Sequence, residues 1–335
     1  MTPAIKSIVD KYVAGYRQWS QRRLQAEQDT DAVKTPLFHF TGYAGLRGIL
    51  DNSNIRLTHY TFQNDPTEFV HGVRTASSCI ADVALEADFG PIHDLSVCVR
   101  DLLGNPDNMA FWTSYVACFT HNVSDIGQWR TYGKDGQGCA IGFSQEMFTA
   151  DSDDLHPVER RVFVGKVRYP ARRFPGRFRD PMAVVARQLG DAVSEIGDVV
   201  RGDTATQWEI IREFANEVIA EPTMWNALTT KHPGYRSERE TRLAMIGLKG
   251  EYDAIEQTNE RGVPFVPYSF DRTKIVAKII LGPDSADGAV DAVKRYLASI
   301  DLSHVAVVKS TLPYRSLADA RITLDNVKRD LGRND

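Results

Sequence analysis

Two carboxylates, separated by one residue, stand at the start of an apolar segment late in the chain. Glu238 and Glu240 precede Arg242 and the apolar run 243–246. Side chains alternate along a strand, so Glu238, Glu240 and Arg242 would share one face. A carboxylate there can stabilise the positive charge that develops on a sugar when its glycosidic bond breaks. The other interpretation is a solvated strand end with a weak Glu240–Arg242 ion pair.

A lone histidine in an early apolar strand is the second candidate. His39 lies in the segment 37–41, and Thr41 follows two residues later on the same face of the predicted strand. This pair of side chains can hold a ribose hydroxyl or a carboxamide. A core histidine bonded to a backbone carbonyl is the alternative.

Three aromatic residues could bind a planar ring such as nicotinamide or a base. They are Phe119, at the end of an apolar strand, and Trp129 and Tyr132, which lie three residues apart on a predicted short helix. Aromatic faces stack well on such rings. Packing of the helix on a sheet explains the same spacing, and we favour packing for Trp129.

Further polar segments offer weaker candidates. The arginine-rich segment 168–179 can grip phosphate groups, although a solvated loop is the favoured interpretation. A nuclease that uses Glu238, Glu240 and Asp65 with a metal ion would need these carboxylates close together. Asp65 more simply caps the helix that follows it. No HExxH, zinc-cluster, GxSxG or phosphate-loop pattern occurs, and we expect no metal site.

Composition places the chain among ordinary globular proteins. It has 335 residues, of which 42% are hydrophobic, and a net charge of -4, which argues against a general nucleic-acid binder. Its four cysteines form no CxxC pair, so we expect buried free thiols in a reducing compartment. The first residues lack a signal-peptide pattern, and no apolar run is long enough for a bilayer. We therefore expect a cytoplasmic protein with no membrane partner, and a secreted effector without a signal peptide stays open.

The order of predicted elements is irregular. Short strands are interrupted by helices of uneven length, which favours an α+β fold with a mixed sheet and peripheral helices. We expect an N-terminal helix over 1–30, one α+β domain over 36–310, and a polar tail over 311–335. A helical insertion is predicted at 181–228, as two helices near 181–200 and 204–228.

Several short stretches, taken in order, resemble an uncharacterised bacterial family, the domain of unknown function two-nine-seven-one. They are Phe38-His39-Phe40-Thr41, Leu46 with Ile49-Leu50, Asn64-Asp65-Pro66 with Glu68, Ala117-Cys118-Phe119-Thr120, Trp129 with Tyr132, the segment 138–143, the segment 238–243, and Lys278-Ile279-Ile280-Leu281-Gly282.

At greater distance the same pattern resembles the ADP-ribosyltransferase superfamily. That resemblance implies a split, mixed sheet and NAD as a substrate. His39 would bind a ribose of NAD, and Thr41 would hold the nicotinamide amide. Glu240 would contact the ribose 2′-hydroxyl, and Glu238 would orient or deprotonate an acceptor. The middle element reads Cys118-Phe119-Thr120, so Phe119 or Tyr132 would supply the stacking ring.

The sequence therefore predicts three catalytic residues and a partly shared NAD-binding set. The catalytic residues are Glu240, Glu238 and His39, and the NAD-binding residues are His39, Thr41, Phe119, Trp129, Tyr132 and Arg242. The expected function is an NAD-dependent ADP-ribosyltransferase or NAD glycohydrolase that acts on an intracellular protein or nucleic acid. By resemblance it would serve as a toxin or an antiviral defence protein. A non-catalytic nucleotide-sensing or protein-binding module on the same fold is the alternative, and a metal-dependent nuclease is a weaker one.

Overall fold

The computed structural model describes most of the chain. It covers residues 1–30, 36–63, 68–86, 90–105, 112–149, 162–169, 175–200, 202–318 and 320–332. The predicted cap at Asp65 lies outside this part of the chain, as does the middle of the arginine-rich segment, residues 170–174.

Ten strands of the described residues form one sheet. They are β1 (Leu37–Thr41), β2 (Asn54–His59), β3 (Trp112–Thr120), β4 (Cys139–Phe143), β5 (Val162–Lys166), β6 (Glu240–Leu248), β7 (Gln257–Thr258), β8 (Pro264–Ser269), β9 (Val276–Leu281) and β10 (Ala306–Lys309).

Helices of the described residues cover both faces of this sheet. They are α1 (Pro3–Thr30), α2 (Tyr43–Asn52), α3 (Glu68–Glu86), α4 (Pro91–Gly104), α5 (Ile126–Thr131), α6 (Glu146–Thr149), α7 (Pro175–Ile196), α8 (Thr204–Val218), α9 (Met224–Leu228), α10 (Arg272–Ile275), α11 (Ala289–Ser299) and α12 (Leu324–Asp330). Short 3-10 turns occur at Tyr60–Phe62, Gly197–Val200 and Pro233–Glu238, and a π turn occurs at Ile219–Thr223.

The sheet divides at β3. One edge of β3 pairs with β6 from Trp112 to Thr120. The other edge pairs with β1 at Thr120 and with β2 at Tyr115 and Val116, so β1 and β2 separate beside residues 117–119. Strands β9 and β10 are parallel, whereas the other pairs are antiparallel. The predicted α+β class and mixed sheet are therefore confirmed.

Alternating side chains of the central strands enter two different cores. Ala117 and Leu243 face the core that contains α2 and α11, whereas Val116 and Ala244 face the core that contains α1, α3, α4, α7 and α8. A strand that is buried on both faces needs such continuous apolar sequence. The second face, which is covered by the long helices, also carries the polar residues described below.

The predicted helical insertion differs in its boundaries from the structure. The first helix, α7, begins at Pro175 rather than at Pro181, and it includes the end of the arginine-rich segment. Arg177 of that segment is buried, and its guanidinium donates to the hydroxyl of Thr229 at 3.0 Å, so this part is not a solvated loop. The second helix is interrupted by the π turn, which contains Pro222; proline has no N–H for the α-helical ladder.

Helix α9 lies very close to α3. A Cβ atom built on Gly72 of α3 would lie 2.2 Å from the carbonyl oxygen of Ala227 in α9, so this approach requires glycine. Gly165 of β5 receives the ring of Trp225 in the same way, with a built Cβ 2.5 Å from that ring. These two contacts fix the position of α9 and of the chain that follows it.

The C-terminal segment docks on the turn after α5. The carboxylate of Asp135 accepts hydrogen bonds from the hydroxyl of Ser316 at 2.6 Å and from the backbone of Leu317 at 2.8 Å. These bonds, with that of the Tyr314 hydroxyl, lower the pKa of Asp135 to about 2. The polar tail predicted from residue 311 onward thus contacts the sheet domain, and it contains α12.

Among the described residues, no helix is long and apolar enough to span a bilayer.

Candidate functional site

A cavity of about 260 Å³ lies where β1 and β2 separate. We call it the split cavity. Its walls come from β1, β2, β3, the end of α5, and the turn that leads into β6. The lining residues that bear on chemistry are His39, Arg56, Cys118, Tyr132, Lys231, Glu238 and Glu240.

Strand register explains why the side chains of β2, β3 and β6 meet at this cavity. Thr120 lies opposite both Phe38 of β1 and Glu240 of β6, and Val116 lies opposite Thr58 of β2. Directly opposed residues of antiparallel strands point to the same face. Cys118, Thr120 and Glu240 therefore lie on the face of the sheet that carries Val116 and Ala244. His39, one position from Phe38, alternates to the opposite face and reaches the cavity from there.

His39 lies in the gap between the separating strands. Its Nδ1 atom lies 3.0 Å from the carbonyl oxygen of Cys118. A carbonyl can only accept, so Nδ1 carries the proton and Nε2 of the neutral ring keeps its lone pair. Burial lowers the pKa of His39, and the bond to Cys118 opposes that effect only in part. The imidazole is therefore neutral at pH 7 and can accept a hydrogen bond or a proton.

The two predicted carboxylates occupy different elements but meet at one lysine. Glu238 lies on a 3-10 turn, and Arg239 then adopts a left-handed conformation with φ 44°, so the strand begins at Glu240. The prediction that Glu238 shares the strand is therefore wrong. Even so, the ammonium of Lys231 donates to Glu238 at 2.6 Å and to Glu240 at 3.0 Å.

Arg242 supports Glu240 from behind the cavity. Its Nε donates to Oε1 of Glu240 at 2.7 Å and its Nη2 to Oε2 at 3.2 Å, and Nη1 donates to the carbonyl of Leu228. Arg242 is buried and does not line the split cavity. It is thus placed to hold Glu240 rather than to contact NAD as predicted.

These ion pairs control the charge of Glu240. Burial by itself would raise the pKa of this carboxyl group, but the adjacent Arg242 and Lys231 outweigh burial and lower it. Glu240 is therefore ionised at neutral pH in a site that excludes most water. Glu238 is less enclosed, with 14% of its side chain exposed against 5% for Glu240.

The three predicted aromatic residues have different surroundings. Tyr132 lines the split cavity, and its hydroxyl lies 3.4 Å from Oε1 of Glu238. Phe119 also lines the cavity, but it is 2% exposed and packs against Phe143 at 5.6 Å between ring centres. Trp129 is fully buried and does not line the cavity, so its predicted contact with NAD is replaced by packing.

The difference between Trp129 and Tyr132 has a local cause. The indole N–H of Trp129 donates to the carbonyl of Val123 at 2.8 Å, and its ring meets the edge of Phe40. Trp129 thereby fastens α5 to the sheet, whereas Tyr132 follows the end of the helix and reaches the cavity.

Thr41 does not line the split cavity. A Cβ atom built on Gly45 would lie 2.1 Å from the hydroxyl oxygen of Thr41, so this side chain is covered by the first turn of α2. Alternation along β1 correctly predicts its face, but a helix covers that part of the face. The structure therefore does not bring Thr41 together with His39 in the split cavity.

The cavity also contains residues that the sequence did not indicate. Lys231 is 2% exposed, and its ammonium lies 4.7 Å from the ring centre of Tyr235. It follows α9, and only tertiary packing brings it to the carboxylates. Arg56 and Gln63, from β2 and the turn after it, line the opposite wall.

The thiol of Cys118, which lines the cavity, is unreactive at neutral pH. Sγ of Cys118 donates to the side-chain oxygen of Gln63 at 3.5 Å. Burial and the nearby Glu240 raise the pKa of Cys118 well above its ordinary value. The thiol therefore stays protonated at neutral pH and is a poor nucleophile.

The geometry of the two carboxylates does not favour the nuclease alternative. The ammonium of Lys231 occupies the position between Glu238 and Glu240 that a shared metal ion would take. Within the described ranges, no three His, Cys, Asp or Glu side chains form a metal-binding group. Asp65, the third carboxylate of that prediction, is outside those ranges.

Comparison with known proteins bears on part of this site. No curated protein and no solved structure matches the chain. A family model matches residues 128–243, a stretch that includes Tyr132, Lys231 and both carboxylates but not His39. The predicted likeness to a domain of unknown function is thus confirmed over this stretch: residues 128–243 are similar to the family described as Protein of unknown function (DUF2971).

Proposed function

We propose that the split cavity cleaves the nicotinamide–ribose bond of NAD and transfers ADP-ribose to an intracellular macromolecule or to water. The observation that supports this proposal most is the convergence of His39, Tyr132 and the Glu238–Glu240 pair on one cavity. A neutral imidazole, an aromatic ring and fixed carboxylates are the groups that such a reaction needs. The residues come from distant parts of the chain and meet only in the folded protein.

The reaction needs stabilised positive charge more than proton transfer. When the bond between C1′ of the ribose and the nicotinamide nitrogen breaks, its electron pair stays with the nitrogen, and the nicotinamide leaves as a neutral molecule. Positive charge then develops on the ribose. A carboxylate held nearby in a site of low polarity stabilises that charge strongly.

The two carboxylates suit two roles in this scheme. Glu240 is ionised and held by Arg242 and Lys231, so it supplies a fixed negative charge. Glu238 is more exposed, so it can contact the ribose hydroxyls or the acceptor. The acceptor forms the new bond to C1′ and loses a proton, which Glu238 or Nε2 of His39 can take.

Tyr132 supplies the aromatic surface of the proposal. Its hydroxyl is near Glu238, so a nicotinamide stacked on its ring would place the ribose toward the carboxylates. Phe119 lies beside His39, with 5.9 Å between ring centres, and supports the imidazole from the core. A role as a toxin or in antiviral defence, in the cytoplasm, would follow from this activity and the family resemblance.

The test is release of nicotinamide from labelled NAD, with and without candidate protein and nucleic-acid acceptors. Glu240→Ala removes the fixed charge, and Glu238→Gln keeps the shape of the more exposed carboxylate. We expect either change to lower the turnover rate roughly a hundredfold or more. The control Glu260→Gln alters an exposed loop carboxylate and should leave the rate unchanged. If wild type releases no nicotinamide above background with any acceptor, the proposal is wrong.

One observation favours a second function, a nucleotide-sensing module without catalysis. The charge of Glu240 is balanced by Arg242 and Lys231, which reduces the field available to a developing cation. Such a module would bind NAD or ADP-ribose without turnover. Calorimetric binding of NAD with no release of nicotinamide would select this function over the enzyme.

A further inference from the structure

The two walls of the split cavity differ in charge. On the β6 side, Glu238 and Glu240 are paired with Lys231. On the β2 side, Arg56 lines the cavity, and no described residue forms an ion pair or a hydrogen bond with its guanidinium. The cavity is thus cationic at one wall and contains both carboxylates at the other.

We infer that Arg56 and Thr58 form a phosphate-binding subsite on the β2 wall, which recognises the phosphate groups of a nucleotide ligand. The inference rests on the proposed function for the nature of the rest of the ligand. Whatever the rest of the ligand, this cavity binds phosphorylated nucleosides and discriminates against their unphosphorylated forms.

Arg56 is held in position without being neutralised. Its guanidinium lies over the ring of Phe265 in the neighbouring strand β8, 4.5 Å from the ring centre. Stacking on an aromatic face orients the planar guanidinium and leaves its N–H groups free to donate in the ring plane. Such a fork matches two phosphate oxygens.

Thr58 is suited to assist Arg56. The two residues are separated by one position on β2, so their side chains share a face of the strand, and both line the split cavity. The hydroxyl of Thr58 makes no hydrogen bond to any described residue, so it can donate to a phosphate oxygen. The side-chain amide of Gln63, which follows this strand, donates to the carbonyl oxygen of Thr58 at 3.5 Å.

The separation of the two walls fits an extended ligand. Arg56 lies on β2 and Glu240 on β6, with β3 between them. β2 pairs with β3 only at Tyr115 and Val116, so at a strand spacing of ~4.8 Å the backbones at Arg56 and Glu240 are at least roughly 10 Å apart. A ligand that fills the cavity must therefore carry an anionic group at one end and a group that tolerates carboxylates at the other.

The test uses two probes, adenosine diphosphate and adenosine, with binding to the full chain measured by calorimetry. We expect wild type to bind adenosine diphosphate at least tenfold more tightly than adenosine. Arg56→Gln should remove roughly tenfold or more of the affinity for adenosine diphosphate and leave adenosine unchanged. Arg56→Lys should lie in between, because lysine keeps the charge without the fork.

The matched control is Arg261→Gln, which removes an exposed arginine from the loop between β7 and β8. It should bind both probes as wild type does. Equal affinity of wild type for the two probes, no binding of the diphosphate, or full affinity in Arg56→Gln would each overturn the subsite. These outcomes are separate from turnover, because a protein that releases no nicotinamide can still show phosphate binding that depends on Arg56.

Discussion

Lys231 holds the two carboxylates of the split cavity together. Its ammonium is nearly inaccessible to solvent and donates to both Glu238 and Glu240. Removing one member of a buried ion network leaves the others charged and without water, which is costly. The lysine therefore acts on the proposed chemistry through the carboxylates and contributes to the stability of the fold.

We predict that Lys231→Met lowers the free energy of unfolding by about 3 kcal/mol at neutral pH. The control is Lys274→Met, in which an exposed lysine loses its ion pair with Asp271 at 3.3 Å. That change should stay within about 0.5 kcal/mol of wild type. Urea denaturation measures both values, and equal stability of the two variants would contradict the role of Lys231.

The same variant should respond differently to acid. Burial alone would raise the pKa of Glu240, but Arg242 and Lys231 keep it lowered in the native state. A carboxylate with a lowered native pKa stabilises the protein above its unfolded pKa of about 4.3 and loses this effect as the pH falls toward the native value. Without Lys231 the native pKa of Glu240 rises, so acid unfolding of Lys231→Met, followed by circular dichroism, should begin at a higher pH.

At this scale the sequence predicted some residues and not others. His39, Glu240 and Tyr132, three of the predicted site residues, line one cavity. Thr41 follows the same alternation along β1 as His39, but it packs against Gly45 of α2 and does not line the cavity. Lys231 follows a short helix and carries no local pattern, so its role depends wholly on tertiary packing.

At the scale of elements, the site depends on where β1 and β2 separate and where α9 ends. Where these strands separate, the ring of His39 is hydrogen-bonded to the carbonyl oxygen of Cys118. At the end of α9, the carbonyl oxygen of Leu228 accepts a hydrogen bond from Arg242. The strand patterns predicted a mixed sheet. They did not predict its division at β3, because register between distant strands is set by packing rather than by local sequence; the split sheet was expected only from the family resemblance, and the structure confirms it.

We predict that Gly72→Ala lowers the free energy of unfolding by roughly 1–3 kcal/mol, since the added methyl group would overlap a backbone carbonyl that cannot move alone. The built Cβ lies 2.2 Å from the oxygen of Ala227. The matched control is Gly48→Ala in α2, where a built Cβ meets nothing within 4 Å. Alanine there should stabilise the helix by roughly 0.5–1 kcal/mol. Thermal unfolding compares the two, and a neutral Gly72→Ala would show that α9 is free to shift.

At the scale of the whole molecule, the long helices and the sheet form one site together. The helical layer brings Lys231 and the Leu228 carbonyl onto the sheet, and the sheet contributes Glu240 and Arg242. The predicted insertion at 181–228 is thus part of the site's support. Its helices were predicted, but their contact with β6 was not, because it depends on how α9 packs against Gly72 of α3 and Gly165 of β5.

The split cavity is the proposed NAD site of the protein. The most direct measurement is a crystal structure of Glu240→Ala, a variant chosen to slow turnover, after soaking with NAD. We expect the nicotinamide ring against Tyr132, the adjacent ribose within hydrogen-bond reach of Glu238, and phosphate oxygens at Arg56. NAD bound elsewhere, or an empty split cavity at a saturating concentration of NAD in wild-type and variant crystals, would contradict the account.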